Sequence, residues 1–194
     1  MIPEENKLLR QRLNQEAEEI VLGDLSFEKY IPHKDILKAI MRIAAELNEE
    51  YRERNPLFLV VLNGSFVFAG ELLQHIDLVC EISFVKVSSY RYSASTGNVR
   101  KLIGATADME DRHVILIEDI VDTGKTLEYL MAEMKKSNVA SCKVVSLFLK
   151  PDSYSGSIPI DIVGMELENY FVVGYGMDYN EMGRNLQDIY RVKA

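Results

Sequence analysis

The sequence predicts an α/β protein with a central, mainly parallel sheet flanked by helices. A short, continuous apolar run occurs at 57–62, which is typical of a strand that is buried on both faces, and further strand candidates occur at 114–120 and 144–149. Segments with helical spacing of apolar residues follow the first two of these, at 66–76 and 126–136. Alternating strands and helices are the signature of a parallel sheet built from βαβ units.

The remaining elements follow from the same periodicities. The spacing of apolar residues predicts two amphipathic helices before the first strand, at 4–22 and 34–52. Alternation predicts a strand at 80–87, and a short apolar run predicts a last one at 160–163. The polar, Ser-rich stretch at 88–100 fits neither period and is interpreted as a mobile loop.

Length and composition limit the classes of protein that the chain can belong to. Its 194 residues suit one domain, 1–194. Lys and Arg number 22 against 30 Asp and Glu, and the resulting net charge of −8 disfavours nucleic acid and anionic membranes as partners. The sequence lacks an apolar leader and a membrane-spanning run, so we expect a cytoplasmic protein. Cys80 and Cys142 stand alone in apolar runs, which predicts reduced thiols.

The segment 114–127 is the most informative part of the chain. It reads VILIEDIVDTGKTL: an apolar strand, two carboxylates, a loop of small residues and the start of a helix. Helix N-termini at the carboxyl end of a strand favour phosphate, through unpaired N–H groups and the helix dipole. We therefore expect a phosphate cradle in the loop that contains Asp122, Thr123, Gly124, Lys125 and Thr126.

The carboxylates beside this cradle indicate what else the ligand carries. The P-loop of nucleoside triphosphatases requires Gly where this chain has Asp119, so the segment is not predicted to be a P-loop. Glu118 and Asp119 would repel a triphosphate but can accept hydrogen bonds from sugar hydroxyls. A ligand with one phosphate and a vicinal diol fits both features. The competing interpretation is a solvated acidic turn that caps a helix.

The segment 114–127 resembles the phosphoribosyl-pyrophosphate (PRPP) motif of the type I phosphoribosyltransferases. With LNGSF at 62–66, SSYRYSASTG at 88–97, SLFLKPD at 146–152 and YFVVGYGMDYNEMGRNL at 170–186, the chain resembles the hypoxanthine-guanine phosphoribosyltransferases. The resemblance implies the type I phosphoribosyltransferase fold, with a mobile lid loop and a small hood. The N-terminal helices in 1–55 and the segment 150–194 would contribute the hood.

Roles for the carboxylate segment follow from the resemblance. Glu118 and Asp119 would bind the 2′- and 3′-hydroxyls of the ribose, and residues 122–126 the 5′-phosphate. Asp122 would also lie near the purine N7 as the general acid or base. The alternative role of Asp122 is that of a helix N-cap, and both can hold.

The purine site rests more heavily on the resemblance. Lys150 would donate to the purine O6, Phe171 would stack on the base, and the backbone of Val172 would meet its pyrimidine edge. Backbone groups near Val172 and Asp178 would contact C2 of the base. Without the resemblance, Lys150 is an ordinary solvated lysine at a strand end, and 171–172 belong to an ordinary apolar run.

The resemblance also implies a Mg²⁺ cofactor and a site for the leaving pyrophosphate. Asp178, together with Glu118 and Asp119, would hold the metal, and Arg184 would contact pyrophosphate, since a guanidinium pairs well with phosphate oxygens.

Two loops complete the site that the resemblance implies. Asn63 and Gly64 would bind pyrophosphate, although many family members have Lys where this chain has Asn63, so we expect altered affinity or altered coupling between subunits. The backbone N–H groups of Gly64 and Ser65 can still bind an anion. Ser89 and Tyr90 lie in the segment that the family uses as a lid to exclude water.

The implied activity is purine salvage. PRPP and hypoxanthine, or guanine, would give inosine or guanosine monophosphate (IMP or GMP) and pyrophosphate, with inversion at the anomeric carbon. Two alternatives stay open: a xanthine-preferring transferase, and a regulator that binds PRPP or a nucleotide without catalysis. The family commonly forms homodimers or homotetramers, for which the apolar helix at 66–76 could supply an interface.

Overall fold

A computed structural model of the chain describes residues 17–89, 99–103 and 107–193. Its larger sheet has six strands, in the order β5-β4-β3-β6-β7-β8. All pairings in this sheet are parallel except that of β5 with β4. The strands are β3 (Leu57–Leu62), β4 (Glu81–Ser89), β5 (Val99–Ile103), β6 (His113–Val121), β7 (Ser141–Leu149) and β8 (Ile162–Glu166). The predicted α/β class with a mainly parallel sheet is confirmed.

Three helices bury the two faces of this sheet: α1 (His33–Glu50), α2 (Phe66–Leu73) and α3 (Lys125–Lys136). Alternate residues of each central strand point to opposite faces. Phe58 and Val60 of β3 pack in the core that α1 and α2 cover, whereas Leu57 and Leu59 pack in the core that α3 covers. Because both faces are covered, β3 reads as one continuous apolar run.

A second, smaller sheet is antiparallel, with strand order β1-β2-β10-β9. It consists of β1 (Glu19–Leu22), β2 (Leu25–Ile31), β9 (Val172–Val173) and β10 (Ile189–Val192). Its own small core contains Ile20, Phe27, Val173 and Tyr190. Strands from both ends of the described chain are thereby joined beside the larger sheet.

The helix predicted at 4–22 is wrong for its last residues, because Glu19–Leu22 is a strand; residues 1–16 lie outside the described part. Pairing with β2 places Ile20 opposite Phe27 and Leu22 opposite Leu25. Ile20 and Leu22 are buried on one face while Glu19 and Val21 are exposed. Pairing with β2, which follows after a two-residue turn, overrides the helical spacing, and β2 itself was not predicted. The helix at 34–52 is confirmed as α1.

The loop predicted at 88–100 is wrong at both ends, since residues 88–89 belong to β4 and residues 99–100 to β5. Antiparallel pairing of these two strands supplies regular hydrogen bonds to a segment whose polar side chains give no periodic signal. Residues 90–98 lie outside the described part of the chain. None of the described helices is long and apolar enough to cross a bilayer.

Candidate active site

Three loops meet at one edge of the larger sheet. Strands β3, β6 and β7 are neighbours and run parallel, so their carboxyl ends lie side by side. The segments that follow them are 63–65, 122–124 and 150–152, and all three contain residues predicted for the site. Ligands of open α/β sheets bind at this edge.

Glu118 and Asp119 lie near the end of β6 and share a partner, Ser65. The Ser65 Oγ accepts a hydrogen bond of 2.9 Å from the Asp119 backbone N–H. The same hydroxyl lies 3.4 Å from both Glu118 Oε2 and Asp119 Oδ1. Ser65 and Glu118 are buried, so a single fully enclosed hydroxyl joins the loop after β3 to the carboxylates of β6.

The pKa values of these two carboxyl groups are raised above their ordinary values. Burial raises the pKa of Glu118 well above its ordinary value, and the neighbouring charge of Asp119 raises it further. Burial also raises the pKa of Asp119 to about 6, although hydrogen bonds from backbone and Ser65 and the charge of Arg184 oppose that rise. Two adjacent, poorly solvated carboxylates favour a ligand that brings hydroxyl donors or a cation.

Gly64 lies in close contact with both Asp119 and Gly176. A Cβ on Gly64 would lie 1.7 Å from Asp119 Oδ2, so the carboxylate rests directly on the bare Cα. Gly176, whose φ is +99°, lies against Gly64 in turn, and a Cβ there would lie 1.9 Å from the Gly64 carbonyl oxygen. The peptide bond between Leu62 and Asn63 is cis.

The loop predicted to bind phosphate, 122–126, leads into the first turn of a helix. Helix α3 begins at Lys125, and Gly124 takes the N-cap position with φ 82° and ψ 0°, which is a conformation that favours glycine. The ring of Tyr154 covers this glycine, since a Cβ on Gly124 would lie 2.4 Å from Tyr154 Cε2. The alternative role of Asp122 as the N-cap is therefore wrong, because Gly124 occupies that position.

Asp122 instead pairs with Lys150 across the neighbouring strand ends. Lys150 Nζ donates to Asp122 Oδ2 at 3.1 Å. The Lys150 side chain is 8% exposed and the Asp122 side chain 48% exposed. The interpretation of Lys150 as a solvated surface lysine is thus wrong, because a buried ammonium requires a partner and Asp122 supplies it. The two groups assigned to the base lie in contact.

Phe171 belongs to an aromatic cluster on the small sheet. Its ring centroid lies 6.3 Å from that of Phe27 and 5.9 Å from that of Tyr179, which it meets edge to face. Phe171 remains 40% exposed, whereas Val172 next to it is buried. An aromatic ring that is held by two others and still half open to solvent is suited to stacking on a planar ligand.

Asp178 and Arg184 form the remaining side of the site. Arg184 Nη2 lies 2.6 Å from Asp178 Oδ1, and Arg184 Nη1 donates to the Gly176 carbonyl oxygen at 2.9 Å. Asp178 Oδ2 also accepts from the Glu181 backbone N–H at 2.8 Å. These contacts fix the guanidinium beside the loop that touches Gly64.

The acidic groups of the site fit Mg²⁺ only in company with substrate. Within the described residues no three His, Cys, Asp or Glu side chains assemble into a metal site. Mg²⁺ commonly uses one or two carboxylates, with waters and substrate phosphates supplying the other ligands. The buried Glu118 and the partly buried Asp119, with their raised pKa values, meet that description.

The structure thus brings together the groups predicted on β3, β6 and β7 and on the loop 174–184. Tyr90 lies outside the described residues, and Ser89 is described only as the last residue of β4. Sequence reasoning missed the Ser65 hydroxyl, the covering ring of Tyr154 and the close contact of Gly176. A hydroxyl residue directly before α2 and a glycine on each side of Tyr175 were the available signals.

Comparison with known proteins agrees with this geometry. The phosphoribosyl transferase domain family matches residues 26–180. The hypoxanthine-guanine phosphoribosyltransferase of Streptococcus agalactiae is 44% identical over 154 residues, 79% of this chain and 86% of that protein. That of Bacillus subtilis is 40% identical over 157 residues, 80% of this chain and 87% of that protein.

Solved structures extend the match to the fold. A hypoxanthine phosphoribosyltransferase of Staphylococcus aureus superposes with a TM-score of 0.82 and 31% identity, covering 97% of this chain and 96% of that one. The chain belongs to the phosphoribosyl transferase domain family and, within it, to the family of the hypoxanthine-guanine phosphoribosyltransferases. The predicted resemblance and the type I fold are both confirmed.

The glycine contacts generate a first prediction. We expect Gly64→Ala to weaken PRPP binding at least tenfold with little loss of stability, because the new methyl group displaces only the end of the Asp119 side chain. Gly176→Ala meets the backbone at a positive φ and should lower the free energy of unfolding by about 2 kcal/mol or more. Calorimetric titration and urea denaturation measure the two effects.

Gly70→Ala on α2 is the matched control, because no atom lies within 4 Å of a Cβ at that position. It should leave PRPP affinity unchanged and stabilise the helix by up to about 1 kcal/mol. Wild-type PRPP affinity in Gly64→Ala would show that the contact between Gly64 and Asp119 is unimportant.

The raised pKa of Asp119 generates a second prediction. Between the ordinary value of 3.8 and about 6, the unfolded chain ionises Asp119 while the folded chain retains the proton. Folding stability is therefore lost as pH rises through this window. Asp119→Asn removes that loss and should stabilise the fold by about 1 to 2 kcal/mol at pH 7.5 but much less at pH 4.5, since partial exposure reduces the full effect.

Urea denaturation at the two pH values measures this difference. Asp122→Asn serves as the contrast, because it leaves the buried Lys150 ammonium without its carboxylate and should destabilise the protein at pH 7.5. Equal stabilisation by Asp119→Asn at both pH values would contradict the assignment of its pKa.

Proposed function

We propose that this chain is a purine-salvage enzyme that transfers the 5-phosphoribosyl group of PRPP to N9 of hypoxanthine and guanine. The products are IMP or GMP and pyrophosphate. The observation that carries the proposal is the pair of adjacent carboxylates, the buried Glu118 and the partly buried Asp119, beside the helix start at Gly124. This arrangement suits a sugar diol next to a single phosphate, and relatives at 40 to 44% identity are named for this reaction.

Each loop has a task in the displacement of pyrophosphate by the purine. Glu118 and Asp119 accept hydrogen bonds from the ribose hydroxyls, and residues 122–126 hold the 5′-phosphate at the N-terminus of α3. The purine N9 bonds to C1 as the bond from C1 to pyrophosphate breaks. Fixing both reactants in line supplies orientation and requires no covalent enzyme intermediate.

Lys150 and Asp122 act on the base together. Their contact of 3.1 Å places an ammonium and a carboxylate side by side, which matches the acceptor at O6 and the N–H at N7 of a 6-oxopurine. Adenine offers a donor where Lys150 needs an acceptor, so this pair disfavours it. Asp122 takes up or returns the purine proton, and Phe171 stacks on the base while the Val172 backbone meets its edge.

The pyrophosphate side of the site offers one guanidinium, which Asp178 and Glu181 hold in place, and several backbone N–H donors. Arg184, with the backbone of Asn63, Gly64 and Ser65, binds the leaving group, and the lid residues Ser89 and Tyr90 exclude water. Asp178, Glu118 and Asp119 contribute to holding Mg²⁺ with PRPP, where the cation supplies charge neutralisation of the pyrophosphate.

We also propose that residues 1–194 act as one domain, that it works in the cytoplasm, and that it self-associates. The hood is the small sheet with strands from 19–31 and 172–192. Two free cysteines suit a reducing compartment. Ile82 and Phe84 of β4 are each nearly half exposed on the face that α1 and α2 cover elsewhere, and a second copy of the chain would bury them.

Turnover is tested by offering hypoxanthine, guanine, xanthine and adenine separately, with PRPP and Mg²⁺, in a spectrophotometric assay. We expect turnover of the two named 6-oxopurines, its loss without Mg²⁺, and a reduction of at least a hundredfold in kcat for Asp122→Asn. Lys150→Met should reduce the preference for hypoxanthine over adenine.

The same assay distinguishes this enzyme from a xanthine-preferring transferase and from a regulator without catalysis. A preference for xanthine would change the substrate and leave the reaction class intact. PRPP binding by calorimetry without turnover of any base would identify a regulator and overturn the enzymatic proposal.

Self-association is tested by sedimentation velocity. We expect a dimer or tetramer for the wild-type protein and a shift toward monomer for Phe84→Glu, because a charge cannot be buried in an apolar contact without a partner. Met41→Glu is the control, since Met41 is an exposed apolar residue on α1. A monomeric wild-type protein, or equal behaviour of the two variants, would contradict the placement of the interface.

A further inference from the structure

A partly buried hydrogen-bond network lies behind the pyrophosphate side of the site. The Tyr175 hydroxyl donates to Glu71 Oε2, on helix α2. His33, the first residue of α1, has its Nε2 3.2 Å from both oxygens of the same carboxylate. The His33 and Tyr175 rings also lie against each other, with centroids 5.8 Å apart. No role in the proposed reaction has yet been assigned to any of these three residues.

Tyr175 is held in a backbone conformation that is unfavourable for its residue type. Its φ is +48°, between glycines at +103° and +99°, and a bulky side chain in this region costs free energy that its surroundings must offset. The ring is only 2% exposed. Burial and the carboxylate of Glu71 raise the pKa of Tyr175 further above its ordinary value, so its hydroxyl remains a neutral donor.

The conformation of Tyr175 sets the position of the next residue. Gly176 lies against the carbonyl of Gly64, and its own carbonyl accepts from Arg184. The Tyr175 backbone N–H is bound in turn by the Leu186 carbonyl at 2.8 Å. Anchoring the Tyr175 side chain therefore fixes both the loop at 63–65 and the guanidinium of Arg184.

Glu71 is well placed to couple the two loops. It lies on α2, which begins directly after the loop 63–65, and it binds the residue that precedes Gly176. His33 brings α1 into the same contact, and its backbone N–H donates to Asp188 at 2.7 Å. A cavity of about 230 Å³ adjoins the network, and its wall includes Arg184 beside His33 and Glu71.

We propose that Glu71 and Tyr175, supported by His33, are positioning residues that preform the pyrophosphate side of the PRPP site. They act through the contact of Gly176 with Gly64 and through Arg184, and they touch neither the purine nor the reacting atoms. The assignment rests on the proposed function, because it takes PRPP as the ligand. Its consequence is selective: the network governs affinity for PRPP and pyrophosphate and leaves affinity for the base unchanged.

The test uses Tyr175→Phe, Glu71→Gln and the double variant. The first keeps the buried ring and removes the hydroxyl alone, and the second keeps the shape of the side chain but removes the charge that faces both Tyr175 and His33. We expect Kd and KM for Mg²⁺-bound PRPP to rise about fivefold to tenfold in each, the scale of one buried hydrogen bond. KM for hypoxanthine should change less than about twofold. Because both substitutions weaken the same hydrogen bond, the double variant should lose less PRPP affinity than the sum of the two single losses.

Tyr51→Phe is the matched control, because Tyr51 is an equally buried tyrosine at the end of α1 that packs near His113, at the start of β6. It should leave both KM values unchanged. Unchanged PRPP affinity in both network variants would overturn the proposal, as would fully additive losses. A lower melting temperature with wild-type PRPP affinity would also overturn it, by restricting the network to folding.

PRPP binding is measured by calorimetry and needs no turnover. The proposed enzymatic activity and the proposed role of the network can therefore be refuted independently. Wild-type protein that binds PRPP but converts no base would refute the proposed enzyme while the comparison of PRPP affinities still decides the role of the network. Active wild-type protein with unaltered variants would refute the network alone.

Discussion

The burial of two adjacent carboxylates at the end of β6 is the constraint on which the rest of the site depends. Glu118 and Asp119 are poorly solvated, and the pKa of each is raised. Ionised carboxylates in such a place are costly unless donors or a cation reach them. Among the described residues, the Ser65 hydroxyl reaches both carboxylates, and backbone N–H groups and the charge of Arg184 act on Asp119. A ligand rich in hydroxyl donors can complete their solvation. A ligand therefore gains binding energy from carboxylates whose hydrogen bonding is incomplete in the free protein.

The site also depends on the close approach of its backbone segments to one another. Bare glycine at 64 lets Asp119 lie against the first loop, and glycine at 176 lets the last loop lie against Gly64. Three segments far apart in sequence thus meet without intervening side chains. The space left between them can be filled by phosphate oxygens, which backbone N–H groups bind well. Rigid strands beneath these loops hold the geometry before any ligand arrives.

The larger and the smaller sheet contribute different groups to the site. The parallel sheet presents the carboxylates, the helix start at Gly124 and the paired Lys150 and Asp122 from neighbouring strand ends. The antiparallel sheet presents Phe171, which Phe27 of another strand supports. Residues of 19–31 therefore contribute to a site whose recognisable motifs all lie after residue 57. The network of Glu71, Tyr175 and His33 joins α1, α2 and the 174–184 loop behind this site.

Much of this protein follows from local sequence. The continuous apolar runs specify strands buried on both faces, and the run EDIVDTGKT places carboxylates and a helix start after one of them. These features depend on neighbouring residues alone, so periodicity and turn chemistry suffice to predict the parallel sheet and the phosphate cradle. The family resemblance assigned the purine and pyrophosphate residues, which carry no comparable local signal.

Tertiary structure decided the features that depend on distant partners. Glu19–Leu22 has helical spacing but becomes a strand because it pairs with β2, which is itself held in a sheet by β10 at 189–192. Asp122 pairs with Lys150 across two strand ends and does not cap α3, and neither the pairing nor the burial of that lysine is visible in either segment alone. The contacts of Ser65 with β6 and of Tyr175 with Glu71 span 53 and 104 residues. Sequence specifies the residue types available at each loop, and the order of the strands determines which of them meet.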